Sequence, residues 1–290
     1  MSSQSLRAQF DGQHQGRPAG QKQQRPRSFI AAVAAQMIAA DVLKLRKKLG
    51  MMIWALVLAL GPLVIYFAVK AAQHASNASK YGPAGGLSGF HDGLRLLALF
   101  FGPLAAILIG VEAGAGDAAA GVFRDLVATG RSRLALFAAR LPAALLISLL
   151  VTAISYAVLM IGTYALASGS PTPDASLALN GLGFSVLAIG VVCAVAVGFG
   201  ALTTSRPAAL TVLIGWQLVA SPILAGISSL GSARKLLLSQ AIANFSPVAL
   251  GGGRHGATVA MSLGSALGVL ALWLVVFLAL GAWRTRTMDA

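Results

Sequence analysis

The sequence has little charge and almost no cysteine. Charged residues make up 10% of its 290 residues and hydrophobic ones 57%, whereas about 25% of a soluble domain is charged. The single cysteine, Cys193, excludes a disulfide within the chain and disfavours a thiolate metal site. Several apolar runs exceed the ~18 residues typical of a membrane span. Because backbone groups in a bilayer must pair within their own segment, we predict an all-α polytopic membrane protein.

Sequence motifs for catalysis are also missing. No glycine is followed by lysine, so the phosphate-binding Gly-x-x-x-x-Gly-Lys-Ser/Thr loop does not occur. The four histidines form no His-Glu-x-x-His motif, and there is no Gly-x-Ser-x-Gly elbow. We therefore expect no enzyme, and no metal or cofactor bound by this chain. The predicted spans also lack the mid-membrane carboxylate of an ion-coupled carrier.

The net charge of +14 would indicate nucleic acid in a soluble protein. In a membrane protein it is explained by the bias of Lys and Arg towards the cytoplasmic side and by anionic lipid. With both termini inside, 16 of the 22 Lys and Arg fall on inner segments. We therefore expect no nucleic-acid partner, a multi-pass protein in a bacterial cytoplasmic membrane, and cytoplasmic termini.

Apolar runs divide the chain into three regions. Residues 1–27 are polar and basic and contain no apolar signal-peptide core, so we expect a disordered cytoplasmic tail. Residues 28–49 fit an amphipathic helix lying at the membrane interface. Residues 50–286 form a six-span domain, and the spans are predicted at about 50–70, 93–112, 141–167, 181–203, 208–229 and 257–282.

Polar side chains inside two spans leave two interpretations open. Ser148, Thr152 and Ser155 share one face of the third span, with Tyr156 beside them. Gln217 lies in the middle of the fifth span, one turn before Ser221. Such residues either pack against another helix through shared hydrogen bonds or line a substrate path.

The segment 230–256 is apolar but too broken to span the membrane. Phe245 belongs to its apolar part, and Ser246-Pro247 interrupts it. It is either a pair of short helices dipping into the outer leaflet or an ordinary outer loop. In the neighbouring spans, Gly190, Ala194 and Gly198 predict a close-packing seam, and Gly264 and Gly268 form a GxxxG motif.

The connection between the second and third spans carries the densest charge of the apolar region. Glu112 and Asp117 precede a short amphipathic segment that contains Phe123, Arg124, Asp125 and Leu126. This is either a cytoplasmic loop held at the interface or a docking element for a soluble partner.

This connection resembles the ABC-2 type exporter permeases. The resemblance rests on a carboxylate ending the second span, then Gly-Val-Phe-Arg-Asp-Leu, Ala-Thr-Gly-Arg-Ser-Arg and a basic residue opening the third span. Val122 stands where the family usually has Thr, and Arg140 where Lys is common. Asp41-Val-Leu-Lys-Leu-Arg is similar to the family's Glu-x-x-Lys-x-x-Arg, and the likeness covers about residues 36–286.

The resemblance implies a membrane subunit driven by a separate cytoplasmic ATPase dimer that holds ATP and Mg. It implies a homodimer or a heterodimer with a related permease. It puts residues 114–130 in the role of a coupling helix, in which Phe123 and Leu126 insert into the ATPase and Arg124 and Asp125 pair at the rim. We expect Glu112 and Asp117 to fix this helix near Lys44 and Arg46. The implied outer gate is a pair of re-entrant helices that includes Phe245 and Pro247.

The resulting expectation is an exporter of an apolar or amphipathic substrate such as a drug, peptide or lipid. The alternatives are a membrane assembly or sensor protein that needs no ATPase, and a secondary transporter.

Overall fold

The structure is a computed structural model that describes residues 27–121, 132–248 and 259–287. The chain divides into two compact units, Met1–Ala35 and Gln36–Ala290. In the first unit, the described residues 27–35 are helical and form the first part of helix α1, Arg27–Lys47.

Six helices are long and apolar enough to cross a membrane. They are α2 (Leu49–Ser76), α3 (Gly86–Ala119), α4 (Arg133–Ala165), α5 (Ala175–Thr203), α6 (Arg206–Gly226) and α8 (Leu263–Thr287). A shorter helix, α7 (Leu238–Ala243), precedes α8. No strand occurs within the described ranges. The predictions of an all-α chain and of six candidate spans are therefore confirmed.

Two spanning helices change their hydrogen-bonding pattern immediately before a proline. Residues Leu96–Phe101 of α3 and Trp216–Ala220 of α6 form π-helical turns. Gly102-Pro103 and Ser221-Pro222 follow them directly. Proline has no N–H to donate to the preceding turn, and a π-turn is one way in which a helix accommodates that loss. Pro103 thus follows a π-turn, whereas Pro62 lies inside the unbroken helix α2.

Helices α3 and α5 form the centre of the bundle and pack closely against each other. Glycines make this approach possible. A Cβ atom on Gly114 would lie 2.3 Å from the Val197 carbonyl oxygen, and one on Gly110 would lie 2.7 Å from the Cys193 carbonyl oxygen. Helices α2, α4, α6 and α8 surround this pair and turn large apolar side chains outwards.

The predicted seam on α5 is present at only one of its two glycines. Gly198 lies against the backbone of α8, where a Cβ would be 2.4 Å from the Phe277 carbonyl oxygen. Gly190 makes no such approach, because its nearest neighbour is a leucine side chain at 3.9 Å. The GxxxG glycines of α8, Gly264 and Gly268, are exposed and have nothing within 4 Å.

Successive spanning helices run in opposite directions, so the bundle has two distinct ends. One end carries the end of α1, the starts of α2, α4 and α6, and the ends of α3, α5 and α8; we call it the basic end. Its described Lys and Arg residues are Lys44, Arg46, Lys47, Lys48, Arg133, Arg140, Arg206, Arg284 and Arg286. The opposite end carries Lys70, Lys80, Arg95, Arg234 and Lys235.

At the opposite end, the segment between α6 and α8 folds as short helical pieces. A 3₁₀ helix, Ser228–Leu236, leads into α7. The Trp273 indole donates to the Leu236 carbonyl at 2.9 Å, which ties this segment to α8. Within 230–256 the described part thus contains the end of the 3₁₀ helix, at Leu236, and helix α7, which ends at Ala243, while residues 249–258 lie outside the described residues. Entry of these helices into the membrane stays a prediction.

Candidate functional site

The last turns of α3 bury two carboxylates at the basic end. Asp117 is 3% exposed and Glu112 is 12% exposed. Small residues separate them in the sequence Glu-Ala-Gly-Ala-Gly-Asp, so neighbouring helices approach this end of α3 closely. A buried carboxylate is costly unless cations and hydrogen-bond donors surround it. Each carboxylate indeed contacts two cations.

Asp117 joins α3 to α1 and α4. Lys44 of α1 forms an ion pair with one carboxylate oxygen. Arg140 of α4 donates from Nη2 to Oδ2 at 2.9 Å. Arg140 also donates from Nη1 to the Gly114 carbonyl at 3.2 Å, one turn earlier on α3. Arg140 is itself 4% exposed, so the Asp117–Arg140 contact is a buried ion pair.

Glu112 joins α3 to the start of α2 and to α6. Lys48, the single residue between α1 and α2, forms an ion pair with Oε1. Arg206 at the start of α6 lies 3.2 Å from the same oxygen. Its Nη2 also donates to the Gly116 carbonyl at 2.9 Å. Arg206 thus links the start of α6 to the last turns of α3.

We call these six residues the ionic cluster: Lys44, Lys48, Glu112, Asp117, Arg140 and Arg206. Helices α1, α3, α4 and α6 contribute residues to it, and Lys48 directly precedes α2. Removing one partner of a buried pair typically costs about 3–5 kcal/mol, because the other charge is left uncompensated. That cost applies to Asp117 and Arg140, whose side chains are both buried. Through all its pairs, the cluster links α1, α3, α4 and α6 near the end of α3 that precedes the connection 120–132.

Burial shifts the pKa of two groups on α1, the cluster residue Lys44 and its neighbour Asp41. It raises the pKa of Asp41 above its usual range, although Lys44 and Arg140 act in the opposite direction. It lowers the pKa of Lys44 to about 8, against the attraction of Asp41, and Arg140 adds to the lowering. Both groups line a small pocket together with Glu112 and Arg140.

The predicted coupling residues are only partly described. Of the two basic residues expected near Glu112 and Asp117, Lys44 contacts Asp117, whereas Arg46 is exposed. Phe123, Arg124, Asp125 and Leu126 lie outside the described residues. Helix α3 ends at Ala119 and α4 begins at Arg133 on either side of them. The coupling role of this segment stays a prediction.

The polar face of the third span is buried within the chain. Ser148 and Thr152 are 1% exposed and Ser155 is 0% exposed. The Thr152 hydroxyl donates to the Ser148 carbonyl at 2.8 Å, and the buried Tyr156 hydroxyl donates to the Ala178 carbonyl of α5. In this arrangement these side chains fill helix contacts. A substrate path along them would require α4 to move away from its neighbours.

Gln217 connects the two π-turns. Its Nε2 donates to the Leu99 carbonyl at 3.0 Å, and both residues lie within π-turns. The side chain is half-buried against α3. Ser221, directly after the π-turn of α6, shares a hydrogen bond with Ser239 of α7 at 2.7 Å. The two predicted polar residues of α6 thus link it to α3 and to α7.

The two predicted gate residues are half-buried. Phe245 packs against the apolar core and Pro247 lies next to the buried Val248. Among the residues that the structure describes, no group of three His, Cys, Asp or Glu side chains could hold a metal ion.

Sequence reasoning did not identify Lys48 and Arg206 as members of the site. Their signal in the sequence was weak, since each is one basic residue at a helix junction. Comparison with protein-family models gives no match for this chain, and comparison with curated proteins gives none.

Proposed function

We propose that this chain is the membrane subunit of an ATP-driven ABC-2 type exporter. In this proposal, two copies, or one copy and a related permease, form the pathway in a bacterial cytoplasmic membrane. A separate cytoplasmic ATPase dimer, which binds ATP and Mg, supplies the energy. The basic end faces the cytoplasm, because Lys and Arg accumulate on that side of a membrane.

The ionic cluster carries this proposal. It lies next to the connection 120–132, where the residues resembling a coupling helix occur. Asp117 stands two residues before the end of α3 and holds both α1 and α4. Glu112 holds the start of α2 and α6. A displacement of the connection by a soluble partner would therefore be passed directly to four of the spanning helices.

The lack of charge along the spans supports the proposed substrate class. Within the described residues, the acidic side chains of the spanning helices lie towards the helix ends, at Asp92, Glu112 and Asp117. Apart from the amide of Gln217, the contacts described above between helix interiors are apolar or hydroxylated. Such surroundings suit an apolar or amphipathic substrate such as a drug, peptide or lipid, because an ion there would lose its hydration without a counter-charge.

Association with the ATPase is the decisive test. Phe123→Asp should abolish co-purification with the ATPase and the stimulation of ATP hydrolysis, because a charged residue would enter an apolar groove on the partner. Phe10→Asp is the matched control, since it makes the same change in the tail expected to be disordered, and it should leave both readouts unchanged. If Phe123→Asp retained full association and stimulation, the coupling role would be refuted.

Sidedness is tested separately. The only native cysteine, Cys193, is fully buried, so a cysteine introduced at Ala128 would be the reactive thiol. We expect a membrane-impermeant thiol reagent to label it in inside-out vesicles and not in intact cells. Labelling in intact cells would place the connection outside and exclude contact with a cytoplasmic ATPase.

A further inference from the structure

The end of α1 divides its four cations into an inner and an outer pair. Lys44 and Lys48 stand four residues apart, and each forms an ion pair with a buried carboxylate of α3. Arg46 and Lys47 lie between them in the sequence, and both are exposed. The inner pair therefore belongs to the fold, whereas the outer pair faces the surroundings of the protein.

The outer pair has no counter-charge among the described residues. Neither Arg46 nor Lys47 makes a hydrogen bond or an ion pair with a described residue. The described carboxylates around the end of α1 are half-buried or buried, and three of them stand against six cations: Asp41, Glu112 and Asp117 against Lys44, Arg46, Lys47, Lys48, Arg140 and Arg206. The end of a helix adds only about half an elementary negative charge. This surface is therefore complementary to an anion supplied from outside the described part of the chain.

An exposed apolar stripe begins directly after these cations. Leu49 is the first residue of α2 and is 70% exposed. Ile53 and Val57 follow at four-residue spacing, which places all three on one face of the helix, and both are exposed. Trp54, beside them, is also exposed, and tryptophan is the side chain typical of a membrane–water interface. Because α2 is a candidate span, this stripe leads from the cations along the helix into the membrane.

The order of charge and apolar surface distinguishes between anions. A soluble anion would match the two cations but would leave the apolar stripe without a function. An acidic phospholipid carries a negative headgroup at the membrane surface and acyl chains below it, and juxtamembrane Lys and Arg residues attract such headgroups. Its two parts match the outer pair and the stripe in the order in which the chain presents them.

We infer that Arg46 and Lys47 bind the headgroup of an acidic phospholipid whose acyl chains lie along Leu49, Ile53 and Val57. The elbow between α1 and α2 is then attached on both sides, to α3 through Lys44 and Lys48 and to the membrane surface through the outer pair. This inference goes beyond the proposed function and does not require an ATPase, because the site is built from this chain alone.

Lipid retention by the purified full chain tests the inference. The probes are dioleoylphosphatidylglycerol, which is anionic, and dioleoylphosphatidylcholine, which is zwitterionic, each added in a neutral detergent, and native mass spectrometry counts the bound molecules. We expect the double variant Arg46→Gln, Lys47→Gln to retain one phosphatidylglycerol fewer than the unmodified chain. Its affinity at this site should fall about 25-fold, because each basic residue near an anionic lipid contributes about fivefold. Phosphatidylcholine retention should not change.

Two control variants separate this site from the total charge. Lys70→Gln, Lys80→Gln removes two lysines from the opposite end and should leave phosphatidylglycerol retention unchanged. Arg46→Lys, Lys47→Arg keeps both charges and should also leave it unchanged. Equal retention by the unmodified chain and Arg46→Gln, Lys47→Gln would overturn the inference, and so would an equal loss in the Lys70→Gln, Lys80→Gln control.

Further measurements distinguish the lipid from other anions and from a protein partner. Inorganic phosphate and glycerol 3-phosphate should not displace phosphatidylglycerol, because they lack acyl chains; displacement by either would identify a soluble-anion site and overturn the inference. Loss of ATPase association by Arg46→Gln, Lys47→Gln with unchanged lipid retention would identify a protein-binding surface and overturn it as well. Without lipid, the thermal unfolding midpoint of this variant should equal that of the unmodified chain. A lower midpoint would contradict the inference, because Arg46 and Lys47 would then hold contacts within the fold.

Discussion

The crossing of α5 and α8 offers a quantitative test of the packing. The two backbones meet at Gly198 and Gly281. A Cβ atom on Gly281 would lie 2.6 Å from the Gly198 carbonyl oxygen and 3.0 Å from the Gly198 Cα. Ordinary van der Waals contact begins at 3.4 Å. Both neighbours are backbone atoms, which cannot turn aside, so the helices must separate by about 1 Å to accept Gly281→Ala.

The expected cost follows from that separation. Inserting one methyl group into a close-packed contact typically costs about 1–3 kcal/mol. The better helix propensity of alanine offsets up to about 1 kcal/mol. With the full offset the net destabilisation is about 0–2 kcal/mol, which at about 2–4 °C per kcal/mol lowers the unfolding midpoint by up to about 8 °C.

Gly268→Ala is the matched control, because it makes the same change on the same helix. Gly268 has nothing within 4 Å, so we expect an unchanged or slightly higher midpoint. The measurement is thermal unfolding of both purified variants in the same detergent, followed by tryptophan fluorescence. If Gly281→Ala and Gly268→Ala had equal midpoints, the described crossing of α5 and α8 would be wrong.

Three further predictions concern polar contacts. Arg140→Gln should destabilise the fold by about 1.5–3 kcal/mol, because it removes a charge-assisted hydrogen bond from the buried Asp117, which keeps Lys44 as its partner; thermal unfolding measures this. Gln217→Met should cost about 1 kcal/mol, because it removes the hydrogen bond to the Leu99 carbonyl; the same assay applies. Lys44 should be a cation below pH 8 and lose its proton as the pH rises, because its pKa is lowered to about 8. Its acylation by an amine reagent, followed by mass spectrometry, should be half-maximal near that pH.

Each of these predictions has a control or a contrary outcome. Arg46→Gln changes an exposed arginine near the same end and should leave the midpoint unchanged; an equal loss in both variants would mean that burial of Arg140 is not the cause. Thr211→Val alters an exposed polar residue of α6 and controls for Gln217→Met. For Lys44, a labelling rate still rising steeply above pH 10 would show that burial does not lower its pKa.

The spans were predictable from sequence because an apolar run long enough to cross a membrane can satisfy its backbone hydrogen bonds within the segment only as a helix. Their ends were less predictable. Helix α4 begins at Arg133 rather than at 141, because Arg140 finds Asp117 and Gly114 and is therefore accommodated inside the helix. Helix α3 likewise begins at Gly86 rather than at 93. In a hydropathy pattern, a charged or polar residue marks the end of an apolar run, because the pattern contains no information on the residue that will pair with it in the fold.

The partners in the candidate site required three-dimensional information. The sequence indicated that Glu112 and Asp117 face a basic segment, and that a mid-span glutamine needs a partner. It did not indicate that Arg206 reaches Glu112 or that Gln217 reaches Leu99, since these residues lie 90 or more positions apart. The π-turn that presents the Leu99 carbonyl is a response to Pro103, and proline alone predicts a distortion without specifying its form.

The interleaved glycines of α3 and α5 have a consequence for any change of shape. Carbonyl oxygens of α5 occupy the space that side chains at Gly110 and Gly114 of α3 would fill. These two helices therefore cannot slide or rotate past each other without a clash between their backbones. They therefore behave as a single rigid body. Because α8 meets α5 backbone to backbone in the same way at Gly198 and Gly281, any opening or closing of this protein must move α2, α4 and α6 relative to these three helices.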